Sequence, residues 1–285
     1  MTMRTRFVNA TTIPMAWLSA FFFAPLLGIV WVSFLSRGAY GELEFPLTFE
    51  NYKRVAGFGL LGFDPLYPTI LGRSVLIAAA TALLCVVCSL PVAFFIAGLS
   101  RRGKVIALTM LVIPFWTNLL VRTYAWQILL GPQGWITQVA MALHLVGPNE
   151  ALYPSNVAVM ICLVCDYLPF AALPIYASVE RLNWELVEAA RDLGAGAWQT
   201  FRHGIFPQIR AGLLAGAALV FLPATGQFVI PDLLGGAKTV LLGNLLQQQF
   251  GASRDWPFGA AIATVTIAIV LLGLWIQARL MRRAA

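Results

Sequence analysis

The sequence predicts an all-α, polytopic membrane protein: one membrane domain over 1–285, six transmembrane helices and both termini in the cytoplasm. Three observations lead there. First, of 285 residues 60% are hydrophobic and 11% charged, with a mean hydropathy of +0.80. A soluble domain carries about 25% charged residues, so this chain lacks the polar groups to cover a water-facing surface. Second, the apolar residues gather into six runs, and about 20 apolar residues suffice to cross a bilayer as a helix. Third, the cations divide unequally between alternate connecting segments.

In order along the chain, a polar lead with Arg4 and Arg6 precedes the first run, 14–36. A cleaved signal peptide has an apolar region of about 7–15 residues and a small-residue cleavage site after it. This run has 23 residues and ends in FLSRGAYG, so a retained helix is expected. Segment 37–73 is read as a long loop, rich in Gly and Pro and mixed in charge. A second span covers 74–99 and is closed by Arg101, Arg102 and Lys104; a third covers 105–130. The segment 131–156 has no Lys or Arg, and Trp135 and Tyr153 suit the headgroup level. The remaining spans are 157–177, 211–230 and 258–276, with a polar stretch (181–207) after the fourth and a mixed loop (231–257) after the fifth.

Six spans place both termini on one side, and charge chooses which. One set of segments holds Arg4, Arg6, Arg101, Arg102, Lys104, Arg181, Arg191, Arg202, Arg210, Arg279, Arg282 and Arg283, twelve in all. The other holds six: Arg37, Lys53, Arg54, Arg73, Lys238 and Arg254. Arg122, inside the third span, is the nineteenth. The richer side is cytoplasmic by the positive-inside rule, and the polar stretch lies there. The net charge of +7 is thus topological; cations scattered between apolar runs are not the clustered patch that nucleic acid needs.

Five spans carry prolines: Pro25, Pro91, Pro114, Pro169 with Pro174, and Pro223. Each removes a backbone donor and bends a helix, and such kinks are tolerated where neighbouring helices or a wet cavity satisfy the freed carbonyls. The pattern points to helices enclosing a path. The two CxxC pairs, Cys85/Cys88 and Cys162/Cys165, lie inside apolar runs with 73 residues between them. Metal binding needs thiolates, which hydrocarbon disfavours, so these are read as small buried packing residues and no metal is expected.

No GxSxG, HExxH or phosphate-binding loop is present, and the topology puts His144 and His203 on opposite sides of the membrane. The chain is expected to be non-catalytic and to hold no cofactor. Two ionisable residues fall inside spans, Arg122 in WTNLLVRTYAW and Asp166 in LVCDYLPF. A mid-span charge is costly, so it faces the interior and finds a partner. Two readings stand: the residues line a substrate path where Asp166 attracts a cation, or they form an internal ion pair, with snorkelling to the outer interface a further option for Arg122. Phe115, Trp116, Tyr124, Trp126 and Tyr167 cluster around them in sequence, and aromatic faces attract ammonium groups.

The polar stretch is the longest helix-patterned hydrophilic segment. Asn183 is a candidate N-cap with Glu185 in the first turn. Leu186, Ala189, Ala190 and Leu193 form one apolar stripe at helical spacing. Gly194 and Gly196 are candidates for a left-handed helix end, a second short helix is expected over Trp198–His203, and Pro207 opens the fifth span. Two short helices meeting at a glycine turn on the cytoplasmic surface suit docking to a soluble partner better than plain membrane adhesion, because Glu188 and Asp192 would be repelled by anionic headgroups.

This stretch resembles the EAA loop of bacterial ABC-importer permeases, with Glu188, Ala189, Ala190, Gly194 and Pro207 at the motif's spacing. Gly204 and Phe206 depart from it, standing where an aliphatic residue and a Leu are usual. PFWTNLLVRTYAW, YLPFAALPIYASVE, VEAARDLGA, FVIPDLLGGAK and RDWPFGAA are similar to segments of spermidine/putrescine (polyamine) importer permeases, covering most of the chain from the third span onward. The N-terminal third matches in layout more than in motif. The resemblance implies a type I ABC-importer permease fold in the bacterial inner (cytoplasmic) membrane. It implies a second, similar permease subunit, a pair of ATPase subunits that bind ATP and Mg, a periplasmic substrate-binding protein, and an EAA loop seated in a groove of the ATPase. The family more often has a neutral residue where Asp166 stands, so no substrate role passes to it.

The expected function is therefore a permease subunit of an ATP-driven, binding-protein-dependent polyamine importer, with Asp166, Arg122, Trp116, Tyr124 and Tyr167 as candidate path residues. An importer of another small cationic or amino-acid-like solute is the alternative. A stand-alone carrier or channel would need an acid relay, and Asp166 is the single intramembrane acid in these spans.

Overall fold

A computed structural model describes residues 3–38, 41–59, 62–147, 151–236 and 239–282. Lys238 and Arg283, counted among the loop cations, lie outside the described residues. Two compact units emerge, Met1–Thr69 with Leu245–Ile269, and Ile70–Asn244 with Val270–Ala285. Among the described residues, five helices are long and apolar enough to cross a membrane, six when one sharply bent pair counts as a single span.

In the first unit, α1 (Met3–Ser33) runs through Pro14 and Pro25. The expected loop after it holds more structure than its composition signals. A hairpin of β1 (Ser36–Arg37) and β2 (Leu43–Glu44) is followed by α2 (Glu50–Val55), and then by a second hairpin of β3 (Phe58–Gly59) and β4 (Gly62–Phe63). Polar side chains fasten it. Buried Asn51 donates from Nδ2 to the Ser33 and Leu35 carbonyls at 3.0 and 2.9 Å, closing the end of α1. Asp255, also buried, accepts from Arg54 Nη1 at 3.0 Å, with Arg37 Nη1 3.9 Å away. The Arg54 guanidinium lies 3.9 Å over the Phe258 ring. A short, irregular segment buries little apolar surface, so paired charges and caps hold it instead.

In the second unit, α3 (Leu66–Ala97) starts well before the expected residue 74. Asp64 Oδ1 accepts from Leu66 N at 2.9 Å, an N-terminal cap that the loop-like composition of 60–73 concealed. The expected third helix, 105–130, is two helices. α4 (Arg101–Val112), capped by Ser100, passes into a tight 3₁₀ turn at Ile113–Trp116. Thr117 is extended, and α5 (Leu119–Leu130) restarts from Asn118, whose Oδ1 accepts from Leu120 N at 2.8 Å. The pair, taken through α6 (Trp135–Ala142), is bent by 95°. Pro114 supplies the break, and an Asn cap four residues later fixes where the helix resumes. The other span prolines, Pro25, Pro91, Pro169, Pro174 and Pro223, sit inside continuous helices.

The rest follows the expected order. α7 (Asn156–Val179) and α8 (Trp184–Asp192) are separate helices, whereas α9 (Ala197–Gln199) continues through a π-helical turn at Thr200–Ile205 into α10 (Phe206–Gly226). The second short helix of the polar stretch is therefore the first part of the fifth span. α11 (Val229–Leu234), α12 (Leu242–Phe250) and α13 (Trp256–Arg282) complete the chain, with α11 replacing the end of the expected 211–230 span.

Helix α7 is the axis of the second unit. Its Ala158, Val159, Cys162, Leu163, Ala171 and Ile175 are buried against Ala78, Ala82 and Cys85 of α3 and Ile209, Val220 and Ala224 of α10. A Cβ at Gly216 of α10 would come within 3.1 Å of the Ala171 Cα, so glycine there sets the α7–α10 approach. Cys85 and Cys162 are buried packing residues as expected, but Cys88 and Cys165 are exposed; all four are free thiols.

Candidate functional site

The two intramembrane charges meet. Asn118 orients the first turn of α5, which carries Arg122; Ser155, whose Oγ accepts from Ala158 N at 3.1 Å, starts α7, which carries Asp166. Arg122 Nη2 donates to Asp166 Oδ2 at 3.1 Å, and Nε stands 2.7 Å from Oδ1. That second contact is close but not aligned as a hydrogen bond, and Nε and Oδ1 have no other partner among the described residues. The Asp166 side chain is 3% exposed and that of Arg122 18%. Of the readings open in the sequence, the structure shows the internal ion pair; Arg122 does not snorkel.

Arg122 also reaches the break between α4 and α5. Its Nη1 donates to the Pro114 carbonyl at 2.7 Å, an oxygen that Thr117 Oγ1 approaches as a donor at 2.6 Å. The Pro114 carbonyl at the interrupted helix is satisfied by side chains, as hydrocarbon requires. One guanidinium thus ties the bend to α7.

Aromatic rings line the same place. The Arg122 guanidinium carbon is 5.4 Å from the Phe115 centroid, Phe115 packs edge-on against Phe170 at 5.0 Å, and Phe170 lies 6.1 Å from Tyr167. The Tyr167 hydroxyl accepts from Gln227 Nε2, at the end of α10, at 3.2 Å. Of the sequence candidates, Arg122, Asp166 and Tyr167 are together. Trp116 and Tyr124, 80% and 51% exposed, lie on the open surface of the chain. Phe170 and Gln227 were missed. Phe170 is four residues after Asp166 and three after Tyr167, so helical spacing offered a signal; Gln227 is 60 positions from its partner and offered none.

The second candidate feature is the polar stretch. Asn183 caps α8, its Oδ1 accepting from Glu185 N at 3.0 Å, and its own N–H donates to Gln208 Oε1 on α10. The helix ends in a Schellman turn: Ala195 N donates to the Ala190 carbonyl, Gly194 N to that of Arg191, and Gly194 has φ +84°. Gly196, the other candidate for that conformation, has φ −65°. Val187 is the buried residue of α8, and Gly204 brings the return helix alongside it: a Cβ at 204 would lie 3.9 Å from the Val187 Cα. The expected apolar stripe is not packed within this chain. Leu186 is 56% and Leu193 89% exposed, and Glu188 and Ala189 are exposed beside them. Pro207 stands in the first turn of α10, directly after the π-helical turn Thr200–Ile205.

Comparison with known proteins accords with this architecture. Residues 89–285 match the family described as binding-protein-dependent transport system inner membrane component. The chain is 39% identical over 270 residues to the spermidine/putrescine transport system permease protein PotB of Escherichia coli K12, covering 94% of this chain and 96% of that one. It is 36% identical to the protein of the same name from Haemophilus influenzae, over 94% and 92% of the two chains. A bacterial alginate ABC transporter, solved in complex with its alginate pentasaccharide-bound periplasmic protein, shares the fold: TM-score 0.69, 14% identity, 98% of this chain and 95% of that chain covered. Multi-pass helices with this break, this exposed loop and these likenesses place the chain in the inner membrane, as a member of the binding-protein-dependent transport system inner membrane component family.

Proposed function

We propose that this permease is one half of the translocation pathway of an ATP-driven polyamine importer. The carrying observation is the extent of its likeness to permeases named for spermidine and putrescine, at 36–39% identity over 94% of the chain. A buried carboxylate among aromatic rings supports the cargo assignment, because ammonium groups are drawn to both. Asp166, Arg122 and Tyr167 are assigned to the pathway, with Trp116 and Tyr124 on the surface that a second permease subunit would complete.

Both termini and the 181–207 stretch are assigned to the cytoplasm. Lys104 Nζ donates to Glu180 at 2.8 Å, joining the start of α4 to the end of α7, and Gln277, near the end of α13, donates to the Leu214 carbonyl in the middle of α10. The joined ends of α4 and α7 are ones that the charge count puts inside. The exposed stripe of α8 is the face for an ATPase subunit, which supplies ATP, Mg and hydrolysis; this chain supplies Glu188, Ala189, Ala190, Gly194 and Pro207 to the coupling loop. A periplasmic binding protein delivers the cargo.

The test is uptake of labelled putrescine and spermidine into proteoliposomes holding the permease pair and its ATPase, with the binding protein supplied. ATP-dependent uptake that Glu188→Lys abolishes without loss of membrane insertion is the expected result. Uptake without any ATPase subunit would overturn the coupling, and absence of polyamine uptake would overturn the cargo.

A further inference from the structure

We propose that Arg122 is a built-in competitor for the cargo, its guanidinium occupying the place on Asp166 that a cargo ammonium takes during passage. This rests on the polyamine reading above.

The ion pair is incomplete in a way a purely structural pair would not favour. Arginine holds a carboxylate best through two parallel hydrogen bonds. Here one is made, from Nη2 to Oδ2, while Nε and Oδ1 face each other at 2.7 Å out of alignment. The buried carboxylate therefore has an oxygen with no aligned donor, a costly condition away from water. Arg122 is held off the ideal geometry because it serves two acceptors, Asp166 and the Pro114 carbonyl at the bend. A primary ammonium is a compact charge with three freely turned donors, and it can fill the position that the fork geometry leaves short.

Somewhere for each cation to stand is also present. Displaced from Asp166, Arg122 keeps the Pro114 carbonyl and the Phe115 ring 5.4 Å away. An arriving ammonium finds the Phe170 and Tyr167 rings on the same helix as Asp166, packed against each other and against Phe115. The Asp166 carboxylate then keeps a cationic partner whether or not cargo is present, which a lone intramembrane Asp166 would not achieve. Exchange also removes the contact by which Arg122 holds the bent pair to α7, leaving the Phe115–Phe170 packing between them.

The experiment uses the assembled importer without binding protein and measures thermal stabilisation by 1,4-diaminobutane. Arg122→Gln removes the competitor, and the concentration of diamine giving half the shift should fall by about tenfold or more. Asp166→Asn should abolish the shift. Because either single variant strands a partner, Arg122→Gln/Asp166→Asn is the control: it restores a neutral pair and should fold, yet fail to import polyamine in the full system. Import by that double variant at the wild-type rate, or an unchanged diamine midpoint in Arg122→Gln, overturns the proposal. Failure of the wild-type assembly to import polyamines is a different result, and removes the cargo reading on which the proposal rests.

Discussion

Gly194 and Gly196 are two residues apart and chemically identical, but only one is in a conformation that an L side chain resists. Gly194 sits at φ +84° as the turning residue of the Schellman motif, with open space where a Cβ would go. Conformation, rather than crowding, is what a substitution there would meet, at about 1–2 kcal/mol for a left-handed non-glycine residue. Gly196, at φ −65° and equally uncrowded, meets neither. Gly194→Ala should therefore lower coupled uptake at least about fivefold, with Gly194→Asn milder, while Gly196→Ala stays near wild type. Equal losses at both positions, measured as ATP-dependent uptake at matched expression, would contradict this account. The sequence alone could not separate the two glycines, because both lie where a helix ends. It also could not say whether Arg122 and Asp166, 44 positions apart, would touch, since nothing in either segment names its neighbour.

Individual elements differ in how plainly the sequence announces them, and the reason is physical. α7 was expected at 157–177 and spans Asn156–Val179, because an apolar run bounded by a Ser cap and a charged end leaves little choice. The third span reads in the sequence as one helix, because hydropathy registers which residues bury well and is blind to a break at which side chains satisfy the Pro114 carbonyl. The stripe on α8 was found and its direction was not: Val187, outside the stripe, is the residue that packs inward. The contact between α4 and α7 adds a pH dependence. Lys104 donates to both Glu180 oxygens, at 2.8 and 3.0 Å, and this bond holds the Glu180 carboxyl below its ordinary range. A carboxyl lowered in the folded state contributes its stability above the unfolded value and loses it as pH falls through the folded one. The melting temperature of the wild type should therefore exceed that of Glu180→Gln at neutral pH by a small margin, since the pair is exposed, and the difference should disappear as acidification carries the pH below the lowered folded value. A difference that grows on acidification would assign the effect to another group.

The parity of the whole molecule depends on the bent pair. If Arg101–Trp116 and Leu119–Ala142 together cross the bilayer, the chain has six spans and its termini share a side; if they dip in and return, it has five and they do not. The second unit contains a ruler that decides between these. At one end of α7, Lys104, next to the start of α4, bonds Glu180. At the other, Tyr153 N donates to the Leu130 carbonyl at 3.1 Å, and Gln127 bonds the Tyr153 hydroxyl, so the end of α5 meets the start of α7. α7 has 24 residues, about 36 Å of helix, enough to traverse the hydrocarbon layer. The pair therefore begins near one end of a full span and finishes near the other, which a re-entrant loop cannot do. Its crooked course still completes a crossing, and on the proposed topology the cation-free segment 131–156 falls on the periplasmic side. In a variant with the four native cysteines replaced by serine or alanine, a cysteine at Gln133 should react with a membrane-impermeant maleimide in intact spheroplasts. One at Asp192 should react only after the membrane is opened. The reverse pattern, Asp192 labelled in intact spheroplasts and Gln133 only after the membrane is opened, would restore the five-span count and send the C-terminal half of the molecule, coupling loop included, to the opposite face.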